Sequence, residues 1–364
     1  MEFMSLLSSF TGARFLRNVG SMDPVIQTID LHKNFGRVKA LDGLDLEVPA
    51  GQVHGFLGPN GAGKSTTLRI LLGLARASSG SARVLGLHPW ADAVELHRRV
   101  ANVPGDVSIW PNLSGGEAID FLSRLRDGGA DRAVYRRNKE RLCQLFDFDP
   151  TKKGRAYSKG NRQKVALIAA LVADAEVYLL DEPTSGLDPL MEAVFTREIR
   201  RLVAEKGATV LLSSHILSEV EQLADSVSII RAGRIVDGGT LESLRHLTRT
   251  GISFAQDQVD VQALQSLSQV HDLTLAAGRI KFNADSDRVH EVLPILGRLG
   301  VQGLLVAPPS LEELFLRHYG DALPPQSEEV KHDGGTHHGR SRPPAGTRPR
   351  RASSRCPASA CGCG

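Results

Sequence analysis

Gly58-Pro59-Asn60-Gly61-Ala62-Gly63-Lys64-Ser65-Thr66 follows directly on the apolar run Gln52 to Leu57 and leads into a helical pattern from about Lys64 to Leu74. The stretch fits G-x-x-x-x-G-K-[ST], the Walker A pattern. Its glycines let successive backbone N–H groups converge on phosphate oxygens, where a Cβ would block the approach. The helix opening at Lys64 turns the positive end of its dipole toward the same anion. Lys64 adds a point charge for the β and γ phosphates, and the Ser65 hydroxyl suits Mg²⁺. An apolar strand, a glycine-rich turn and a helix, in that order, place the chain among α/β folds of the P-loop type.

Downstream, Val177-Tyr178-Leu179-Leu180-Asp181-Glu182 is an apolar strand ending in two carboxylates. Asp181 is expected in the Mg²⁺ shell, often through water, as in P-loop nucleotide hydrolases generally. Glu182, one residue past the strand end, is expected to take a proton from the attacking water or to orient it. His215 closes another strand, Leu211-Leu212-Ser213-Ser214-His215, at the carboxyl end where ligands gather in open α/β sheets.

The remaining pattern extends the same architecture. Val25 to Ile29 and Leu44 to Val48 alternate like half-exposed strands, and apolar strands recur at Thr209 to Leu212 and Val227 to Ile230 with helical segments between them. Strands alternating with helices predict a mainly parallel sheet covered on both faces. Ser228 to Asp237 reads as a hairpin turning at Ala232-Gly233. From about Thr240 the character changes. Ile252 to Phe254, Leu273 to Leu275 and Arg279 to Phe282 read as strands, and Val292 to Leu299 and Ser310 to His318 as helices. The expected organisation is a disordered extension over 1–22, a P-loop domain over 23–240 with a helical subdomain at about 95–173, a small α+β appendix over 241–322, and a disordered tail over 323–364.

Composition narrows the functional classes. The 364 residues carry a net charge of +3, so bulk charge gives no reason to expect a nucleic-acid partner. Four cysteines, Cys143 and three at the end of the chain, form no disulfide framework and suit a reducing compartment. No run approaches the ~20 apolar residues of a membrane span. Met1 to Ser21 has several apolar residues but no basic leader before a continuous run. It reads as a floppy extension, with Met22 a candidate start, or as an amphipathic membrane-contacting segment. The histidines, cysteines and arginines of the tail leave metal or anionic-lipid contact open, against a plain spacer.

The order of these motifs resembles the ATP-binding-cassette (ABC) ATPases over Val25 to Thr240. The decisive element is Tyr157-Ser158-Lys159-Gly160-Asn161-Arg162-Gln163-Lys164, before the apolar helix Val165 to Val172, which looks like that family's signature loop. The resemblance implies a cytoplasmic ATPase subunit held peripherally at the membrane by a separate transmembrane permease. It also implies a homodimer or paired ATPase subunits, with ATP and Mg²⁺ as cofactors. ATP-binding is then expected of Phe35, stacked on adenine, and of Gly58, Pro59, Asn60, Gly61, Ala62, Gly63, Lys64, Ser65, Thr66 and Thr67. Catalysis is expected of Lys64, Glu182 and His215, the family's switch histidine. Ser158, Lys159, Gly160 and Gln163 are expected to act on the ATP of a partner subunit, and Asp188 to lie in the loop bridging two sites. Where the family carries a glutamine, this chain reads Val103-Pro104-Gly105-Asp106, and Asp106 is a candidate substitute ligand for Mg²⁺. Leu113-Ser114-Gly115-Gly116-Glu117 spells the signature more closely, but lies too far upstream. Its expected role is a helix start with Ser114 capping. Pro309 to Leu316 resembles the end of multidrug and antibiotic exporter ATPases, which implies export. An ABC ATPase of ribosomes or DNA is the rival, disfavoured by a single cassette without sustained heptads. A non-hydrolysing nucleotide sensor is disfavoured by the full set of Lys64, Asp181, Glu182 and His215.

Overall fold

Val177 and Leu179 are buried in one apolar cluster while Tyr178 and Leu180, which alternate with them, are buried in another. Such period-two burial on both faces is what a central parallel strand needs. In this computed structural model the described residues are 24–126, 131–246, 249–255, 264, 267, 269–276 and 278–307. In chain order they form β1 (Ile26–Phe35), β2 (Val38–Val48), β3 (Val53–Leu57), α1 (Lys64–Leu71), β4 (Ser79–Val84), α2 (Ala93–Arg99), β5 (Val100–Val103), α3 (Gly115–Arg126), α4 (Arg132–Leu145) and α5 (Lys159–Leu171). There follow β6 (Val177–Asp181), α6 (Pro189–Lys206), β7 (Thr209–Ser214), α7 (Leu217–Leu223), β8 (Ser226–Arg231), β9 (Arg234–Thr240), α8 (Leu241–His246), β10 (Arg249–Ala255), β11 (Val270–Ala276), β12 (Arg279–Asp285), α9 (Val289–Arg298) and β13 (Leu305–Ala307).

The main sheet has the order β5-β6-β7-β3-β8-β9. It is parallel from β5 to β8 and antiparallel only between β8 and β9. The turn of that last hairpin is Ala232-Gly233, with φ of 48° and 78°. Two left-handed residues match the right-handed twist of the flanking strands. One face of the sheet packs on α5, α6 and α7, and the other on α1. The strands expected at Val25 to Ile29 and Leu44 to Val48 belong to β1 and β2, but not to the parallel sheet. They form a separate antiparallel layer, β2-β1-β4, that shares the α1-side core. The helix expected to reach Leu74 stops at Leu71, where Gly73 takes φ 68°.

α3, α4 and α5 fill the chain between β5 and β6, with α3 and α4 both packed on α5. Glu198 of α6, almost fully buried, ties α4 to the core. Its carboxylate accepts from Arg141 Nη1 at 3.0 Å and from Arg201 Nη2 at 2.7 Å. A bidentate, charge-assisted pairing of this kind fixes orientation as well as distance.

The antiparallel sheet β11-β12-β10-β13 follows, its core of Ile252, Phe254, Ile280 and Phe282 packed against Val292 and Leu296 of α9. The helix expected at Ser310 to His318, the extension before Met22 and the tail from 323 lie outside the described residues. Among the described residues no helix is long and apolar enough to cross a membrane.

Candidate functional site

The phosphate-loop segment leaves β3, every residue of which is buried, and enters α1 through Gly63. Gly63 takes φ 118°, and a Cβ there would lie 2.8 Å from Ala40 O, so only glycine fits. Lys64 is 5% exposed, and its ammonium donates to Gly58 O at 2.6 Å and Pro59 O at 3.2 Å. Burial pushes its pKa down, while the charges of Glu182 and Asp181 oppose that shift. The Thr67 hydroxyl, fully buried, donates to Gly63 O at 3.0 Å and steadies the first turn of α1. Asn60, Gly61 and Ser65 are exposed, and Pro59 and Thr66 are half-buried. The loop is clamped from behind: Gly233 N donates to Ala62 O at 2.9 Å while Gly233 O accepts from Asp42 N at 3.0 Å.

Asp181 ends β6 in register with Ser213 of β7, whose hydroxyl donates to Asp181 Oδ1 at 2.9 Å. Glu182 then turns sharply at φ 46°, while its N–H still donates to Ser213 O at 2.9 Å. This brings Glu182 Oε1 to 2.9 Å from His215 Nδ1. The two side chains expected to act on the γ-phosphate side therefore form a dyad. Strands β6, β7 and β3 are neighbours, so Asp181, Glu182, His215 and Lys64 issue from the carboxyl ends of three adjacent strands.

Two of the expected residues are placed less directly. Asp106 is exposed, and the residue that abuts Asp181 is Gly105, where a Cβ would lie 3.3 Å from both the carboxyl carbon and Oδ2. At Gly105 the backbone therefore approaches the Asp181 carboxylate closely. Gln163 is 2% exposed and donates through Nε2 to Pro183 O of its own chain at 2.8 Å. Its amide nitrogen is thus bonded within the chain, to the loop that follows Glu182.

In the rest of the signature stretch Tyr157 and Lys164 are buried, Ser158, Lys159 and Arg162 are exposed, and Gly160 and Asn161 are half-buried. Ser158 caps α5, its hydroxyl accepting from Asn161 N at 3.3 Å. Lys159 Nζ donates to Ser185 Oγ at 2.9 Å, and Gly160 lies so close to Gly186 O that a Cβ would meet it at 2.5 Å. Asp188 caps α6, accepting from Met191 N at 3.0 Å, with Pro189 at the first helical position. Phe35, at the end of β1, is 54% exposed, with Lys33 Nζ 4.8 Å from the ring centroid. Sequence reasoning gave no role to Ser213, Gly105 or Glu219. The partners Asp181 and Thr184 lie more than thirty residues from Ser213 and Glu219 in sequence.

A family model described as ABC transporter matches residues 41–185, and one described as AAA domain, putative AbiEii toxin, Type IV TA system matches residues 153–221. The daunorubicin resistance ATP-binding protein DrrA3 of Streptomyces coeruleorubidus is 35% identical over 316 residues, which are 82% of this chain and 97% of that protein. The bacitracin transport ATP-binding protein BcrA of Enterococcus faecalis is 30% identical, over 83% of this chain and 97% of that protein. Among solved structures, an ATP binding subunit of an ABC transporter matches with a TM-score of 0.58 at 29% identity, over 61% of this chain and 92% of that one. A dimeric ATP-binding cassette bound to ADP and Pi shares the fold, with a TM-score of 0.55 at 21% identity over 59% of this chain and 98% of that one.

Proposed function

The chain belongs to the ATP-binding subunits of ABC transporters, and from that premise we propose that it hydrolyses ATP at a site shared between two such subunits to drive export through a separate permease. The observation that carries this reading is the dyad of Glu182 and His215, 2.9 Å apart, beside Asp181 and Lys64. Glu182 orients and deprotonates the attacking water, His215 holds Glu182 and faces the γ-phosphate, and Lys64 with the loop amides binds the β and γ phosphates. Phe35 stacks on the adenine from an exposed position.

The donor set fits Mg²⁺. Ser65 offers an exposed hydroxyl and Asp181 a carboxylate oriented by Ser213, both hard oxygen donors. Mg²⁺ held there would neutralise charge on the phosphates. Asp181 is presented to it by the Ser213 hydroxyl and the close backbone of Gly105.

Ser158 and Gly160 complete the pocket of a second subunit. Among the described residues no hydrogen bond joins the Ser158–Gln163 stretch to the Gly58–Thr67 loop of the same chain. The first turn of α5 carries no acidic residue, which leaves its N-terminal amides to an outside anion. The permease docks in the cavity of about 320 Å³ between the core and the helical segment, lined by Leu74, Val107, Ile109, Trp110, Leu122 and Leu125. Leu125 and Trp110 remain 69% and 47% exposed there. This docking puts the chain peripherally at the cytoplasmic face, and the antibiotic-related relatives favour a drug-like export cargo.

The test is Glu182→Gln in the full chain. Phosphate release should fall at least about 100-fold while ATP still binds and traps a dimer. Hydrolysis at the parent rate by this variant would end the proposal.

A further inference from the structure

Glu219 lies in the first turn of α7, where an acidic side chain ordinarily faces solvent and helps the helix only through its dipole. Here its two oxygens are turned inward and serve different partners. Thr184 Oγ1 donates to Oε1 at 2.7 Å, and Ser214 Oγ donates to Oε2 at 3.1 Å. The Ser214 hydroxyl also accepts from Ile216 N at 2.9 Å and has Ile216 O at 3.3 Å as an alternative acceptor. Thr184 and Ser214 are only 6% and 2% exposed, so losing the carboxylate would strand buried hydroxyl groups.

The sequence positions of the two partners matter. Thr184 follows Glu182 across Pro183, and Ser214 directly precedes His215. The last ladder bond between the two chain segments is Glu182 N to Ser213 O. Past it, among the described residues, side chains alone hold them together. One tie is the dyad and the other is Glu219. The bonds close a ring running from Glu182 through Thr184, Glu219, Ser214 and His215 back to Glu182. Gln163 of the signature helix holds the same loop from the other side, at Pro183 O.

We infer that Glu219 is a positioning residue for ATP hydrolysis, locking the loop that carries Glu182 to the turn that carries His215. The inference rests on the role proposed above for Glu182. Misplacing a reacting group by about 1 Å is enough to lose rate about 100-fold without touching substrate binding elsewhere.

The experiment compares the full-length parent with Glu219→Ala, Glu219→Gln, Thr184→Val and Glu182→Gln, measuring kcat, ATP affinity and thermal melting. Glu219→Ala removes both acceptors, and kcat should fall about 10- to 100-fold with ATP affinity within about threefold of the parent. Glu219→Gln keeps an acceptor for Thr184, and its amide can donate to Ser214 Oγ, which then turns to Ile216 O. It should recover kcat to within about threefold. Thr184→Val breaks one arm at nearly constant shape, so it remains informative even if Glu219→Ala fails to fold. Its kcat should fall about 3- to 10-fold. Folded Glu219→Ala or Thr184→Val turning over at the parent kcat while Glu182→Gln is inactive overturns the positioning role alone. So does a loss that Glu219→Gln does not restore, or one matched by an equal loss of ATP affinity. Parent-rate turnover by Glu182→Gln instead overturns the reading of the site itself.

Discussion

Leu113-Ser114-Gly115-Gly116-Glu117 and Tyr157-Ser158-Lys159-Gly160-Asn161 both begin a helix on a serine cap, yet they treat the first turn in opposite ways. In the upstream segment Glu117 N donates to Ser114 Oγ at 3.2 Å, and Ser114 N donates back to Glu117 Oε2 at 2.6 Å. The capping box is complete, and Glu117's own carboxylate occupies the anion position at the helix start. Gly115 packs against Tyr157 and Phe148, and the Gly116 carbonyl accepts from Lys139 Nζ at 2.9 Å. In the downstream segment Asn161 stands where the carboxylate would be, and Ser158 alone caps. The helix start that spells the signature better has satisfied itself, while the first turn of the other carries no acidic side chain. Completion of a local hydrogen-bond set, more than spelling, separates the structural cap at Ser114 from the cap at Ser158, to which the proposed function gives a binding role.

The contrast can be broken most severely at Gly160, where Ala would drive a Cβ into Gly186 O at 2.5 Å. Gly160→Ala is expected to cut phosphate release about 100-fold, and unchanged turnover in a folded variant would remove the segment from the site. A sharper probe converts one region into the other. Asn161→Glu recreates S-x-x-E at α5 and should raise the melting temperature while lowering turnover about 10-fold, because the new carboxylate competes for the helix start. Hydrolysis at the parent rate with a formed box would show that α5 does not need an open terminus. Ser114→Ala should cost about 1 kcal/mol in denaturant unfolding and leave turnover untouched.

The smallest effect is pH-dependent. Glu117 is held down at about 2, first because the Ser114 N–H donates to it, with the Ser114 hydroxyl and Lys153 adding to the effect. Its folded pKa lies below the ordinary 4.5, so its contribution is complete above that value and fades as pH falls toward 2. The melting difference between the parent and Glu117→Gln should accordingly be largest near neutrality and vanish in strong acid. A difference independent of pH would remove the carboxylate from the cap.

What was legible in the sequence followed from strong local chemistry. The loop at Gly58 to Thr66, the carboxylates after Val177 to Leu180, and the turn at Ala232-Gly233 each combine residue type with a neighbouring strand or helix period. β4 stayed invisible because Ser79-Gly80-Ser81-Ala82-Arg83-Val84 buries only Ala82 and Val84, so its place is set by pairing with β1. β1 and β2 were seen as strands but not as a separate layer, since half-exposed alternation suits either sheet. Gln163 shows the limit of motif reading. The residue matched the family pattern, yet whether its amide pointed outward or toward Pro183 depended on a fold contact twenty residues away in sequence. Glu219 was unreadable for a related reason, since a glutamate in a first helical turn signals nothing until Thr184 and Ser214 arrive beside it.

Glu182 carries φ 46°, a torsion that β-branched side chains resist strongly. The choice of inactive control therefore decides what a null result means. Valine or isoleucine at this position would erase the carboxylate and also unseat the turn, so silence from such a protein would confound lost chemistry with a misdirected main chain. Glutamine preserves the unbranched stem and the torsion, and asparagine, which tolerates left-handed geometry, offers a second shape for the same comparison.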